Sequence, residues 1–401
     1  MQSEQVARFS RSSLFRPHGE HAGEVQPVEL FFDLVYALAV TQLTNRLLTS
    51  LSWRGALETL ALLWGVWAGW ICVTWISNYF DVRVRLVRLV VLVAAFVGLV
   101  LASSIPRAFD DRGMTFALAV VALIVGAPVL GMIAAGPGHP LRIVLRRVAI
   151  WDSITGALWI GGALANGNTR LALWLLASLI IGIVIFLGFP LPGLGRNRTT
   201  DYPITGLHMT ERCLLFVILA IGESILITGE GFGELPHGRS VWAAFTVAFI
   251  GSVLFWWIYF DRTIELARAR MEEATDPGRL GVLAYTFYHM YIVAGIIVAA
   301  AGDELSIEHP MERIDHATLL VMLGGPALFL LGNLLYKATM FGQISRAQSV
   351  AIVVLLVLMP ALEDRTRLQV ALAAMFVLLL VALSDLIAER SDRPPLSPAA
   401  H

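Results

Sequence analysis

Long apolar blocks separated by short charged stretches run almost the whole length of the chain. Roughly twelve blocks are each about the length that a helix needs to cross a bilayer, near 20 residues. They are 29–50, 56–79, 86–106, 114–135, 144–164, 171–190, 209–228, 241–260, 281–301, 317–340, 347–362 and 368–388, the eleventh being the shortest. None shows the strict polar/apolar alternation of a barrel strand. Lipid offers the backbone no hydrogen-bond partner, so an isolated apolar run that crosses it must close its own bonds as a helix. The pattern therefore predicts an all-α polytopic membrane protein of about twelve spans. Residues 1–27 are polar and lack an apolar core followed by a small-residue cleavage site, so they read as an N-terminal tail and not as a cleavable signal peptide. Residues 391–401 hold Pro394, Pro395 and Pro398 and read as a disordered C-terminal tail.

The blocks repeat. Tyr79-Phe80-Asp81 returns as Tyr259-Phe260-Asp261, Gly126-Ala127-Pro128 as Gly324-Gly325-Pro326, and Thr169-Arg170-Leu171 as Thr366-Arg367-Leu368. The offset widens from about 180 to about 197 residues, which an insertion between Arg262 and Leu280 accounts for. The implied organisation is two six-helix repeats, 28–195 and 196–390. An even number of crossings makes the repeats parallel, related by an axis along the membrane normal.

Composition and charge refine this picture. The chain is 57% hydrophobic and 15% charged. Its net charge is −1, so nothing suggests a nucleic-acid partner. The two cysteines, Cys72 and Cys213, lie inside apolar blocks and read as buried free thiols. Lysine and arginine at the ends of the blocks and in the loops divide roughly 19 to 8 between the two sides, so the positive-inside rule places both termini in the cytoplasm.

Ionisable residues inside spans are costly and commonly mark function. The first block carries Glu29 and Asp33 one turn apart, on a face with Tyr36. The seventh carries His208, Glu211, Arg212 and Glu223, and the ninth carries His289. Glu223 lies about a dozen residues into an apolar run, too deep to snorkel to the interface. Its counterpart in the first block is Thr41. These residues form a candidate ion or solute path of Glu29, Asp33, His208, Glu211, Glu223 and His289, between the repeats and lined by the first and seventh spans.

A second reading makes Asp81, Arg83, Arg85, Arg212, Asp261 and Arg262 structural ion pairs near the cytoplasmic helix ends. It extends to Glu29, Asp33 and Glu211, with His208 interfacial. Asn78 and Asn333 read as interhelical hydrogen-bond residues. Trp64, Trp67 and Trp70 read as lipid anchoring or packing, or alternatively as an aromatic face for a cation. No Walker loop, Gly-x-Ser-x-Gly, His-Glu-x-x-His or Cys-x-x-Cys is present, so no catalytic residue, resident metal or cofactor is assigned. His208 and Glu211 have a metal-ligand spacing, which keeps an intramembrane enzyme as an alternative.

Val28-Glu-Leu-Phe-Phe-Asp33, His208-Met-Thr-Glu-Arg212, Ile221-Gly-Glu-Ser-Ile225 and Trp75-Ile-Ser-Asn-Tyr-Phe-Asp81 resemble the bacterial low temperature requirement A family over about residues 25–390. That resemblance implies a polytopic inner-membrane protein but no reaction, since the family takes its name from growth in the cold. A remoter likeness joins Phe31-Phe32-Asp33 to the first helix of lysosomal potassium channels, although the region around Phe216 lacks the matching aspartate. The expectation is a channel or carrier whose partners are membrane lipids and a small ion or solute, with monomer and homo-oligomer both open. The alternatives are the enzyme and a non-catalytic envelope or cold-tolerance protein.

Overall fold

The structure is a computed structural model that describes residues 14–17, 23–236, 238–261 and 263–392. Among these residues it is all-helical, with isolated bridges and no strand. In chain order the helices are α1 Pro27–Thr49, α2 Trp53–Tyr79, α3 Arg85–Ser104, α4 Gly113–Ala135, α5 Pro140–Leu164, α6 Gly167–Leu187, α7 Gly206–Glu234, α8 Arg239–Phe260, α9 Thr263–Glu273, α10 Pro277–Glu308, α11 His316–Phe341, α12 Arg346–Leu362 and α13 Arg367–Asp392. Each of the twelve apolar blocks has become a helix, and the insertion has become the short polar α9.

Ten of these helices are long and apolar enough to cross a membrane. The two remaining blocks miss for separate reasons. Helix α5 carries Arg142, Arg146, Arg147 and Asp152. Helix α12 has only 17 residues. Arg147 explains part of the charge on α5, because its guanidinium donates to the Leu194 carbonyl and to Asn197 Oδ1 (2.8 Å) in the loop after α6. The C-terminal tail from residue 393, the basic residues Arg8 and Arg11, and Arg262 lie outside the described residues.

The described chain divides into two compact units. One holds the residues up to Glu223 together with Ile264–Met290, and the other holds Ser224–Thr263 and the residues from Tyr291 onward. In the first unit α1 packs on α2 and α3, and α4 packs on α2, α3 and α5. In the second unit α8 packs on α13, and α11 packs on α12 and α13.

The second unit is held close by glycine. A Cβ placed on Gly295 of α10 would fall 2.3 Å from the backbone nitrogen of Phe329, and one on Gly325 of α11 would fall 2.5 Å from that of Ala299. Gly332 faces Ile292 in the same way, and Gly302 faces Met322. Glycines seven residues apart on each helix thus let two backbones touch, the usual device where lipid supplies no hydrophobic drive for helix pairing.

The repeated motifs perform matching local tasks. Arg170 at the start of α6 donates to the Ala108 carbonyl (2.9 Å), and Arg367 at the start of α13 donates to the Leu305 carbonyl (3.0 Å). Donors and acceptors are both separated by the same offset, 197 residues, that relates the motifs. Tyr79-Phe80 and Tyr259-Phe260 each end a helix, α2 and α8. In both, a cation reaches the carbonyls of the last turn, Arg16 at Ser77 (2.8 Å) and Lys337 at Ile258 (3.3 Å). Such cations satisfy terminal carbonyls and complement the helix dipole.

Candidate functional site

A buried polar cluster lies in the first unit where α1, α2, α7 and the N-terminal segment meet. Glu29, Asp33, His208 and Arg212 are each 0% exposed. Helix α1 begins with Pro27, whose missing N–H costs nothing at that position. Glu29, in its first turn, accepts the Gln26 backbone N–H through Oε2 (3.0 Å). It thereby caps the helix and places negative charge at the positive end of the dipole. The other oxygen, Oε1, faces Arg212 Nη1 (3.1 Å), His208 Nε2 (2.8 Å) and Arg16 Nη2 (3.5 Å).

One turn later Asp33 accepts from Arg212 Nη2 (2.6 Å) and Trp70 Nε1 (2.7 Å), both on Oδ1. The guanidinium of Arg212 therefore bridges two carboxylates. It also lies 5.8 Å from the ring centres of Phe32 and Trp70. Weak hydration and flat faces make arginine suited to such aromatic surroundings.

Asn78 sets the role of one ring nitrogen of His208. Its Oδ1 accepts the Thr205 backbone N–H (2.8 Å) and its Nδ2 donates to the Thr205 carbonyl (2.9 Å), which sets the amide's orientation. Nδ2 therefore presents a hydrogen to His208 Nδ1 (3.1 Å). Nδ1 therefore accepts, while Nε2 lies within reach of both Glu29 Oε1 (2.8 Å) and the donor Arg16 Nη2 (3.0 Å). The cluster then balances, with Arg16 and Arg212 against Glu29 and Asp33. Three buried polar atoms have no partner among the described residues: Asp33 Oδ2, Arg212 Nε and Tyr36 Oη.

The candidate path residues do not all converge. Glu29, Asp33 and His208 share the cluster. Glu211, one residue from Arg212, turns outward and pairs with Arg268 on α9, at 25% side-chain exposure. Glu223 is half-buried and accepts a hydrogen bond from Thr41 Oγ1, the residue that matches it in the repeat. No cationic partner for Glu223 exists among the described residues. His289 is buried where the π-helical stretch Gly281–Tyr288 of α10 gives way to α-helix. Its Nδ1 donates to the Ala284 carbonyl (2.7 Å). Among the described residues no three His, Cys, Asp or Glu side chains form a group that could hold a metal ion.

Of the expected structural pairs, Arg212 makes two and Asp81 pairs with Arg83 (2.9 Å). Partial burial opposes ionisation of Asp81. The side-chain and backbone hydrogen bonds from Arg83, with the charges of Arg83 and Arg16, outweigh that and hold its carboxyl below the usual range. Arg85 is exposed and makes no ion pair among the described residues, and Asp261 caps the end of α8. Asn78 and Asn333 both make the expected cross-element bonds, the latter to Gln348 (3.4 Å).

His208, near the start of α7, is wholly enclosed by α1, α2 and Arg16. Of the two bland readings of the tryptophans, packing holds for Trp67 and Trp70, which are 4% and 0% exposed. Sequence reasoning did not single out Arg16 as a member of the cluster. The Leu14-Phe15 doublet beside it was the available signal: Phe15 stacks on Phe80 (5.0 Å), and the backbone of 14–16 bridges to Tyr79 and Asp81.

Apolar helices in this number, enclosing a buried charge cluster, define a multi-pass α-helical membrane protein. A family profile described as bacterial low temperature requirement A protein (LtrA) matches residues 24–384. The chain belongs to that family. It is also 34% identical over 313 residues to an uncharacterized protein of Rhizobium meliloti (strain 1021), covering 77% of this chain and 76% of the relative. No solved structure matches.

Proposed function

We propose that this LtrA-family protein is a transport protein, a channel or carrier for a cation, proton or small solute, with a path lined by α1 and α7. The observation that carries the reading is Glu223. It is a carboxylate deep in an apolar helix, held by one threonine hydroxyl, with no cation beside it among the described residues. A group so placed costs several kcal/mol and is rarely retained for packing alone. The parallel-repeat reading supports this. Residues equivalent under a two-fold axis touch only near that axis, and Thr41 and Glu223 are equivalents in contact. The identical offset of the Arg170 and Arg367 contacts points the same way. The natural setting is the bacterial inner membrane with both termini in the cytoplasm.

Flux of cations and protons into proteoliposomes, wild type against Glu223→Gln, tests the reading. The expected result is a loss of about tenfold or more with unchanged folding. Wild-type flux in the variant removes Glu223 from the mechanism.

The cluster around Arg212 favours a different role for its own members. It is neutral, paired and closed, so it serves as a staple joining α1, α2, α7 and the N-terminal segment while Glu223 serves the path.

A further inference from the structure

A second carboxylate lies apart from that cluster. Asp152, midway along α5, is 4% exposed and lines a cavity of about 110 Å³ in the first unit. The nearest polar contact of its carboxylate is the Cys72 thiol, 4.0 Å away. No Arg, Lys or His side chain pairs with it among the described residues.

The rest of the wall is mainly apolar, aliphatic and aromatic side chains together. Trp64, Trp67, Trp75, Tyr79, Trp159 and Phe287 all face this cavity. Two of the indoles are held by hydrogen bonds to the π-helical stretch of α10: Trp67 Nε1 donates to the Thr286 carbonyl (2.6 Å) and Trp75 Nε1 donates to Thr286 Oγ1 (3.1 Å). Their N–H groups are spent there, so neither solvates the carboxylate, and the rings are fixed in place. Short π-helical stretches recur at functional sites because they displace backbone groups from the helical ladder. Here Thr286, within that stretch, receives both indole hydrogen bonds.

We propose that this cavity binds a small organic ammonium ion, with Asp152 as counter-ion and the tryptophan faces as its cage. A buried carboxylate with no internal cation either holds a proton or is balanced by a cation from outside, and a bound cation would favour its charged form. Aromatic faces attract weakly hydrated cations through the ring quadrupole and suit methylated ammonium groups in particular. A hard divalent metal would require six or more oxygen ligands, whereas this wall offers one carboxylate and a few hydroxyls (Tyr79, Thr155, Tyr202) among mostly carbon. The site concerns equilibrium binding and goes beyond the transport reading, so either can fail without the other.

The test uses the full chain in phosphatidylglycerol nanodiscs, which carry no ammonium headgroup. Tetramethylammonium and choline are titrated by tryptophan fluorescence and calorimetry, beside the uncharged isostere 3,3-dimethylbutanol. Saturable binding of the cations is expected, at least tenfold tighter than the alcohol. Asp152→Asn should weaken the cations tenfold or more and leave the alcohol unchanged, and Trp64→Leu should weaken the cations as well. Melting curves establish that each variant is folded. The wild-type comparison of cation with alcohol stands even if a variant is not. Repeating the titration in phosphatidylcholine discs separates the sources. A raised apparent Kd identifies a lipid headgroup as the occupant, and an unchanged one identifies a free solute. Absence of saturable cation binding, equal binding of the alcohol, or indifference of a folded Asp152→Asn variant overturns the proposal.

Discussion

At the scale of single residues, Arg212 decides the most. It is wholly buried, answers Glu29 and Asp33 together, and rests between two aromatic rings. Removing one partner of a buried ion pair leaves an uncompensated charge and costs about 3–5 kcal/mol, whereas replacing the whole set with neutral groups of similar shape costs far less. Arg212→Ala is therefore expected to lower stability by about that amount in detergent, followed by thermal or denaturant unfolding. The triple variant Glu29→Gln, Asp33→Asn, Arg212→Met should recover most of the loss. If the single variant melts with the wild type, Arg212 is not the staple inferred from its contacts. The residues forming this cluster were legible in part. Glu29, Asp33, His208 and Arg212 stand out as ionisable groups in apolar surroundings. Arg16 does not, because an arginine in a polar tail looks ordinary until the chain folds, and Trp70 and Asn78 were legible as an aromatic and a hydrogen-bonding residue but not as partners of Asp33 and His208.

At the scale of elements, α10 and α11 show how a helix pair is set by what is missing from it. Gly325 meets backbone atoms of Ala299 at a distance no Cβ tolerates, while a Cβ on its neighbour Gly324 would meet nothing within 4 Å. Gly325→Ala should therefore force the helices apart and cost roughly 1–3 kcal/mol, as overpacking does, while Gly324→Ala should leave the melting temperature unchanged or raised. Equal effects from the two substitutions would contradict the close approach. The repeat made this contrast readable. Gly126-Ala127-Pro128 in the first half carries alanine where Gly325 stands, so the first copy has no need of so close a contact at that point. The π-helical stretch of α10 had no such signal, since nothing in Gly281–Tyr288 breaks an ordinary helical pattern.

At the scale of the molecule, the proposed topology of twelve crossings would return the chain to the side from which it began. On the positive-inside rule, the excess of arginine and lysine on that side would make it the cytoplasmic one. Reporter fusions within 309–315, between α10 and α11, should report an extracytoplasmic position, and fusions within 190–198, between α6 and α7, a cytoplasmic one. A cytoplasmic signal from 309–315 would invert the topology.

The helices and their order followed from the sequence alone, because lipid imposes a single rule on backbone polar groups and an apolar block of sufficient length satisfies it locally. The repeat was equally plain, since it is a property of the string. Only the tertiary structure decided which charges are answered. Glu29 and Glu211 look equivalent in the sequence, yet one is locked inside and the other pairs at the surface with an inserted helix. Asp152 gave no sequence signal as a site, because the four tryptophans around it come from two helices and its lack of a cation is a fact about space. Spacing along a chain fixes which face of a helix a residue occupies, but the balance of buried charge depends on the helices that close around it.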